Sequence, residues 1–350
     1  MHSSSSAHSL AILATLCSAV VSVAAQRPVA ISPVGQLSEQ GFDIGDVSPV
    51  FLTEQLIALF ITPPINQGTV SQIVVLRWTG NKLTASARTT KEVDYGAKIF
   101  SVSDGRILVS DFDHQYLYSS DLSVNVEFPS RFLSNFFPRS ATIGEYSQKS
   151  WKAFRVGSSL TFIRAGQGIL QNVSNDIVLF LADDLVHVKT LSGKHIGLIP
   201  GDPGAQSTYG AETAGPGRIF LNIHGHERIV DLQGKELTRI HSPDGWGFRH
   251  GWSTDGGRML FDHFIRTVSP LEKLQDFFRE IAGAPIRDNG EAITVLDTVN
   301  GKACFSLESP LKKLGPGRYH ADLSPSGRWV VVSTLTDVSV YRLPDVCGAR

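Results

Sequence analysis

Ser324-Pro325-Ser326-Gly327-Arg328-Trp329-Val330-Val331-Val332-Ser333 couples a tight turn to a short apolar run. Glycine supplies the turn, and an aromatic followed by three β-branched residues reads as a buried strand. The phrase recurs: Asp104-Gly105-Arg106 leads into ILVSD, Pro216-Gly217-Arg218 into IFLNI and Gly256-Gly257-Arg258 into MLFDH. A second phrase, a hairpin with Gly-Lys at its tip, follows at Leu191–Lys194, Leu232–Lys235 and Val299–Lys302, and more loosely at Thr79–Lys82.

The spacing turns these phrases into a repeat. Gly217 and Gly257 are 40 residues apart, and Gly257 and Gly327 are 70 apart. Gly217 precedes Gly234 by 17 residues whereas Gly257 precedes Gly301 by 44, an excess of 27 that marks one insertion. Without it the longer interval falls to 43. A unit of about 40–45 residues holding four short strands is the signature of a β-propeller blade. A β-sandwich with chance hairpins is the competing architecture, and it gives no reason for two phrases at matched offsets.

The stretch His320–Ser333 (HADLSPSGRWVVVS) resembles the S-P-D-G-R strand signature of bacterial WD-repeat-like propellers, and DVSVYRLPD (Asp337–Asp345) resembles the third strand and closing dipeptide of such a blade. The likeness is weaker around Arg106, Arg218 and Arg258, and between residues 130 and 175 it fades. Regular Gly-His and Trp-Asp dipeptides are absent, so the resemblance implies a fold and no partner. Inner strands are expected near Leu56, Arg106, Trp151, Asp176, Arg218, Arg258 and Arg328. The step of 25 residues from Trp151 to Asp176 is too short for a full blade, which leaves six or seven blades open.

Within the insertion, about residues 266–290, the pattern becomes helical. Ser269-Pro270-Leu271-Glu272 combines an N-cap, a proline at the first helical position and a glutamate three residues after the cap. Leu271, Leu274, Phe278 and Ile281 recur at helical spacing, with Phe277 and Ala282 widening the stripe, and Gly283 and Pro285 stop it. An amphipathic helix is expected over 270–282, packed on its own blade or serving as a lid or docking element.

Residues 1–25 read as a signal peptide. Leu10–Ala25 is an apolar run of 16 residues, short of the roughly 20 that cross a bilayer, and it ends in Val23-Ala24-Ala25. Met1–Ser9 departs from the usual basic start, having His but no Lys or Arg. Leu16 stands before Cys17 where a lipoprotein signal carries a small residue, which argues against a lipid anchor. Residues 26–350 are then expected to form a single propeller domain, exported to a periplasmic or extracellular space. Cys304 and Cys347 are the only cysteines after the leader. An oxidising compartment favours their pairing, worth roughly 3–4 kcal/mol for such a loop, with two buried thiols as the alternative.

Composition narrows the function. With 42% hydrophobic and 19% charged residues the chain is not disordered, and 32 Gly suit a turn-rich β protein. Lys plus Arg (32) against Asp plus Glu (33) leaves a charge of −1, without the basic excess that nucleic acid demands. No further run is long and apolar enough to span a membrane.

Motifs for chemistry are sparse. His224-Gly225-His226 and Asp111-Phe112-Asp113-His114 hold metal-ligating side chains, but neither has the remaining ligands of a known site. No G-x-S-x-G turn occurs, and Gly201–Gly204 and Ala214–Gly217 lack the helix and lysine of a phosphate loop. No metal, cofactor or catalytic residue is therefore assigned. The most unusual stretch is Ser242–Gly257, where Trp246, Phe248, Arg249 and His250 lie among five glycines. On a loop, such residues offer large contact area with polar handles, so these four are the candidate ligand-binding residues; Trp252 is expected to pack between blades. The expected activity is that of a monomeric, non-enzymatic module binding a protein or an envelope or extracellular polymer. A propeller-type hydrolase or lyase with a channel-centred site, and a structural protein of the bacterial envelope, are the alternatives.

Overall fold

The structure, a computed structural model, describes residues 33–347 except 39–45, 64–69, 80, 94–96, 103, 112–113, 124, 130–133, 147–149, 175, 201–208, 224–225, 241–246, 266–289, 311–319 and 335–336. Those residues form seven four-stranded antiparallel sheets, and the fold is an all-β, seven-bladed propeller. Blade 7 takes its outermost strand, β1 (Gly35–Ser38), from the N-terminal end. Blade 1 comprises β2 (Asp46–Phe51), β3 (Leu56–Thr62), β4 (Val70–Trp78) and β5 (Leu83–Glu92). Blade 2 comprises β6 (Lys98–Ser101), β7 (Ile107–Ser110), β8 (His114–Tyr118) and β9 (Asn125–Pro129). Blade 3 is β10 (Ser134–Phe137), β11 (Thr142–Tyr146), β12 (Ser150–Val156) and β13 (Leu160–Gln167).

Blade 4 follows as β14 (Ile169–Val173), β15 (Ile177–Ala182), β16 (Leu185–Thr190) and β17 (His195–Pro200). Blade 5 is β18 (Tyr209–Thr213), β19 (Arg218–Ile223), β20 (His226–Asp231) and β21 (Glu236–Ile240). Blade 6 is β22 (Gly247–Trp252), β23 (Arg258–Ile265), β24 (Gly290–Asp297) and β25 (Ala303–Pro310). Blade 7 runs from β26 (His320–Leu323) through β27 (Trp329–Ser333) and β28 (Asp337–Arg342) to β1.

The Gly-Arg phrase marks the turn from the first to the second strand of a blade, and the expected inner strands are therefore second strands. Gly105, Gly217, Gly256 and Gly327 have φ between 67° and 82°, a conformation that costs glycine nothing and other residues a clash. Trp151 is different: it lies on the third strand of blade 3, which explains the short step to Asp176. The Gly-Lys phrase is the hairpin between third and fourth strands. In blades 4, 5 and 6 its left-handed glycine (Gly193, Gly234, Gly301) is followed three residues later by one residue that the ladder skips: Ile196, Leu237 and Cys304.

Seven apolar clusters fill the seven seams between blades, so the core is a ring and not a single centre. The second strands accordingly present apolar residues to both sides and read as continuous hydrophobic runs, whereas outer strands such as β5 and β13 are largely exposed. Two of the Gly-Arg arginines reach across a seam: Arg106 donates to the Val156 carbonyl of blade 3, and Arg258 to the Gly327 carbonyl of blade 7 at 2.8 Å. Cys304 and Cys347 form a disulfide that fixes the segment after β28 onto the outer strand of blade 6. The segments expected to form a signal peptide (1–25) and a helix (270–282) lie outside the described residues.

Candidate interaction face

Antiparallel order assigns every connection to one of two faces. Each innermost strand starts at what we term the upper face. The first-to-second and third-to-fourth turns then lie at the lower face; the second-to-third connections and the links between blades lie at the upper face. The Gly-Arg and Gly-Lys turns are therefore all lower. The other candidate segments are all upper. Asp111–His114 joins β7 to β8, His224–His226 joins β19 to β20, and residues 241–246 link β21 to β22. The insertion leaves β23 at Ile265 and returns in β24 at Gly290, two residues that pair directly.

The four candidate ligand-binding residues divide. Trp246 lies outside the described residues. Phe248, Arg249 and His250 belong not to a loop but to β22, the innermost strand of blade 6; Phe248 pairs with Asp262 and Arg249 with Phe261, while His250 falls at a register shift. Gly251, one of the glycines that suggested a loop, lies within this strand, where a Cβ would sit 3.0 Å from Asp322 Oδ1 of blade 7. Trp252 closes the strand between blades 5 and 6, edge-on to Phe220 with centroids 5.5 Å apart, and its indole N–H donates to Glu212 Oε2 at 3.2 Å.

Around the channel the inner strands share a device that the sequence did not reveal. The N–H groups that open the first turns (Ser174, Ala214, Ser253 and Ser324 in blades 4 to 7) put Asn172, Glu212, Gly251 and Asp322 at equivalent positions, two residues earlier. Three of these side chains accept a hydrogen bond from the residue one place further along in the next blade. Asn172 Oδ1 takes the Thr213 hydroxyl at 3.1 Å, Glu212 Oε2 the Trp252 indole, and Asp322 Oδ2 the Phe51 backbone N–H at 2.7 Å. Val50 and Phe100 hold the equivalent positions in blades 1 and 2. Burial pushes the Asp322 carboxyl up to about 7, against the pull of the Phe51 and Leu323 N–H groups.

In the seam of blades 5 and 6, Glu227 is 4% exposed, the one charged residue so enclosed among the described residues, and accepts from Asn222 Nδ2 at 3.3 Å. It directly follows the His224–His226 segment. At blade 2, by contrast, the Asp111 carboxylate accepts the His114 N–H, which is a turn-capping role. His114 lies against the Tyr116 ring and 3.7 Å from Glu127. Among the described residues no three His, Cys, Asp or Glu side chains are grouped to hold a metal ion, and no helix is long and apolar enough to cross a membrane.

No protein-family model matches the chain, and no curated protein matches it. Solved structures similar in shape include the C-terminal WD40 domain of Sif2, with a TM-score of 0.49 at 13% identity, over 90% of this chain and 98% of that one. Two structures of Sqt1 from Chaetomium thermophilum have TM-scores of 0.48 and 0.49 at 10% identity, over 89% of this chain and 99% and 98% of theirs. The seven-bladed assignment stands on the strand pairing of the chain itself.

Proposed function

We propose that the chain is an exported binding module that engages a protein, or an envelope or extracellular polymer, through the upper face of blades 5 and 6. One observation carries this reading: the unusual sequence segments converge there. The Trp246 link, the start of β22, the His224–His226 connection and the 266–289 insertion all emerge from one side of two adjacent blades. The apolar leader and the Cys304–Cys347 disulfide support export to an oxidising compartment. The channel carboxylates that an enzyme would call upon, Glu212 and Asp322, each commit an oxygen to the neighbouring blade. Fold alone does not determine activity, so the reading rests on this face.

Crosslinking in cells followed by mass spectrometry tests it. Partner crosslinks are expected within 241–250 and 266–289, and Trp246→Ala should reduce them without moving the melting temperature. Crosslinks confined to the lower-face turns, or no partner under several growth conditions, would reject the proposal.

A further inference from the structure

At the outer rim of the lower face, the Gly-Lys hairpins of blades 4, 5 and 6 each rest on the fourth strand of the blade before. The Arg164 guanidinium of blade 3 donates to the Leu191 carbonyl at 3.0 Å and lies beside Gly193. In blade 4, Gly197 meets the Leu232 carbonyl so closely that a Cβ would sit 2.1 Å from it, and Ile199 lies beside Gly234. In blade 5 the Thr238 hydroxyl donates to the Val299 carbonyl at 3.2 Å. Each hairpin is tethered at both ends, by the third and fourth strands of its own blade.

On the fourth strand of blade 6 the arrangement changes. Blade 7 has no such hairpin, because its fourth strand, β1, comes from the N-terminal end. The C-terminal segment follows the hairpin path nevertheless. The Leu343 N–H donates to the Arg328 carbonyl at 2.8 Å, as Leu191 does to Asp176 and Thr298 to Gly257. Leu343 is buried in the seam with Cys304, and Cys347 is bonded to Cys304. Cys304 is the residue that the β24–β25 ladder skips, equivalent to Ile196 and Leu237 in blades 4 and 5. The segment is half a hairpin, and the disulfide stands where a return strand would hold it.

We propose that residues 344–347 are a redox-operated strap: the Cys304–Cys347 bond holds them on blade 6, and in the dithiol state they lift off while the ring stays closed. The reason is entropic. A hairpin fixed at both ends loses little freedom on docking, whereas a chain end fixed only at Leu343 must give up the backbone freedom of every residue it docks. Little offsets that loss. Val346 is 67% exposed, and the Arg258 bonds to the Pro344 and Asp345 carbonyls lie at a partly exposed rim where water competes for them. The ring does not depend on the strap, because β1 pairs with β28 and Ser333 holds the Val47 carbonyl without it. The strap lies at the lower rim, so it is independent of the binding role proposed for the upper face.

Closing the strap is a thiol–disulfide exchange with a small-molecule disulfide such as oxidised glutathione. One cysteine thiolate displaces a glutathione thiolate to give a mixed disulfide, and the second cysteine thiolate then displaces the other. The two protein thiols lose two electrons and two protons, and one glutathione disulfide becomes two glutathione thiols. Opening is the reverse exchange with a dithiol reductant, which leaves as its own disulfide.

The experiment is alkylation of the reduced chain by iodoacetamide, read cysteine by cysteine by mass spectrometry. The purified chain is reduced in urea with dithiothreitol, refolded with the reductant present and freed of it before labelling. Docked, Cys304 and Cys347 are 4% and 3% exposed and shielded from the reagent. Undocked, both should alkylate within about tenfold of their rates in the urea-unfolded chain. Hydrogen exchange of peptides covering 47–52 and 329–333 should meanwhile match the oxidised chain, and oxidised glutathione should restore the bond and block labelling. Slower alkylation of either thiol overturns the strap, because the segment then docks without its bond. Lost protection in 47–52 or 329–333, or a reduced chain that does not refold, overturns it as well, since the bond would then hold the ring and not one segment.

Discussion

The two seams that flank blade 7 close the ring by different means. Between blades 6 and 7 the closure is covalent and local to the C-terminal segment. The Cys304–Cys347 disulfide anchors it, Leu343 and Cys347 are buried in the seam, and the Arg258 guanidinium donates to the carbonyls of Gly327, Pro344 and Asp345. Between blades 7 and 1 the chain itself crosses once, from β1 to β2, and the side-chain links among the described residues are non-covalent. Within blade 7, β1 pairs with β28 from Gly35↔Val340 to Ser38↔Asp337; across the seam Ser333 donates to the Val47 carbonyl at 2.6 Å, and Glu54 receives both the N–H and the hydroxyl of Ser326. Trp78 and Trp329 meet edge to face at 5.7 Å, against a cluster that includes Val47, Phe51, Val331 and Val340. Joining residues far apart in the chain is entropically costly before the seam forms. One seam offsets that cost by restricting the unfolded chain, the other by burying aromatic surface.

That contrast can be broken first at its apolar side. Trp78 is 3% exposed and packs so closely on β1 that a Cβ at Gly35 would sit 2.1 Å from its ring. Trp78→Ala should therefore destabilise the protein by about 3–5 kcal/mol in denaturant unfolding, the largest single loss of the set. A loss under about 1 kcal/mol would mean that the indole contributes little to closure.

The covalent seam should yield less. Removing the disulfide in a Cys304→Ser, Cys347→Ser double variant frees a loop of 43 residues and should cost about 2–4 kcal/mol. Equilibrium unfolding of oxidised and double-variant chains reads this directly, and equal stability would relegate the bond to a bystander. Arg258→Ala leaves the Gly327, Pro344 and Asp345 carbonyls without their donor and should cost about 1–3 kcal/mol. If the loss is the same with the disulfide absent, the two restraints act independently; a smaller loss shows that they hold one segment together.

How the seams were hidden or visible in the sequence follows from turn chemistry. Blades 2, 5, 6 and 7 announce themselves because a left-handed glycine opens the second strand. Blade 3 makes the same reversal with Ala141 in the left-handed region (φ 48°), so a search for glycine misses it. In blade 1 the Thr53 hydroxyl accepts the N–H groups of Gln55 and Leu56, and in blade 4 Ser174 accepts those of Asp176 and Ile177. Hydroxyl-capped turns carry no glycine signal, but the choice between six and seven blades turns on blade 3, where Trp151 on the third strand reads as the inner strand in place of β11. β1 was invisible for another reason: four residues, GQLS, gain their strand identity only from pairing with the far end of the chain. The candidate site was legible as composition but not as placement. Its glycines imitate a loop, and the equivalence of Asn172, Glu212 and Asp322 emerges only when turns of unequal length are aligned in space.

The smallest expected effect sharpens the comparison most. Glu54 and Ser326 meet at the solvent-exposed lower edge of the non-covalent seam, at 2.5 and 2.7 Å. Good geometry does not compensate for exposure, because water and salt screen the charge and the free side chains keep their own hydration. Glu54→Gln should accordingly change stability by at most about 1 kcal/mol, and that difference should shrink further in concentrated salt. A larger loss that is insensitive to salt would place the closing force of this seam in a polar clasp at its rim and not in the Trp78 and Trp329 rings beneath it. The Trp78→Ala result would then have to be small as well, so the two measurements constrain each other.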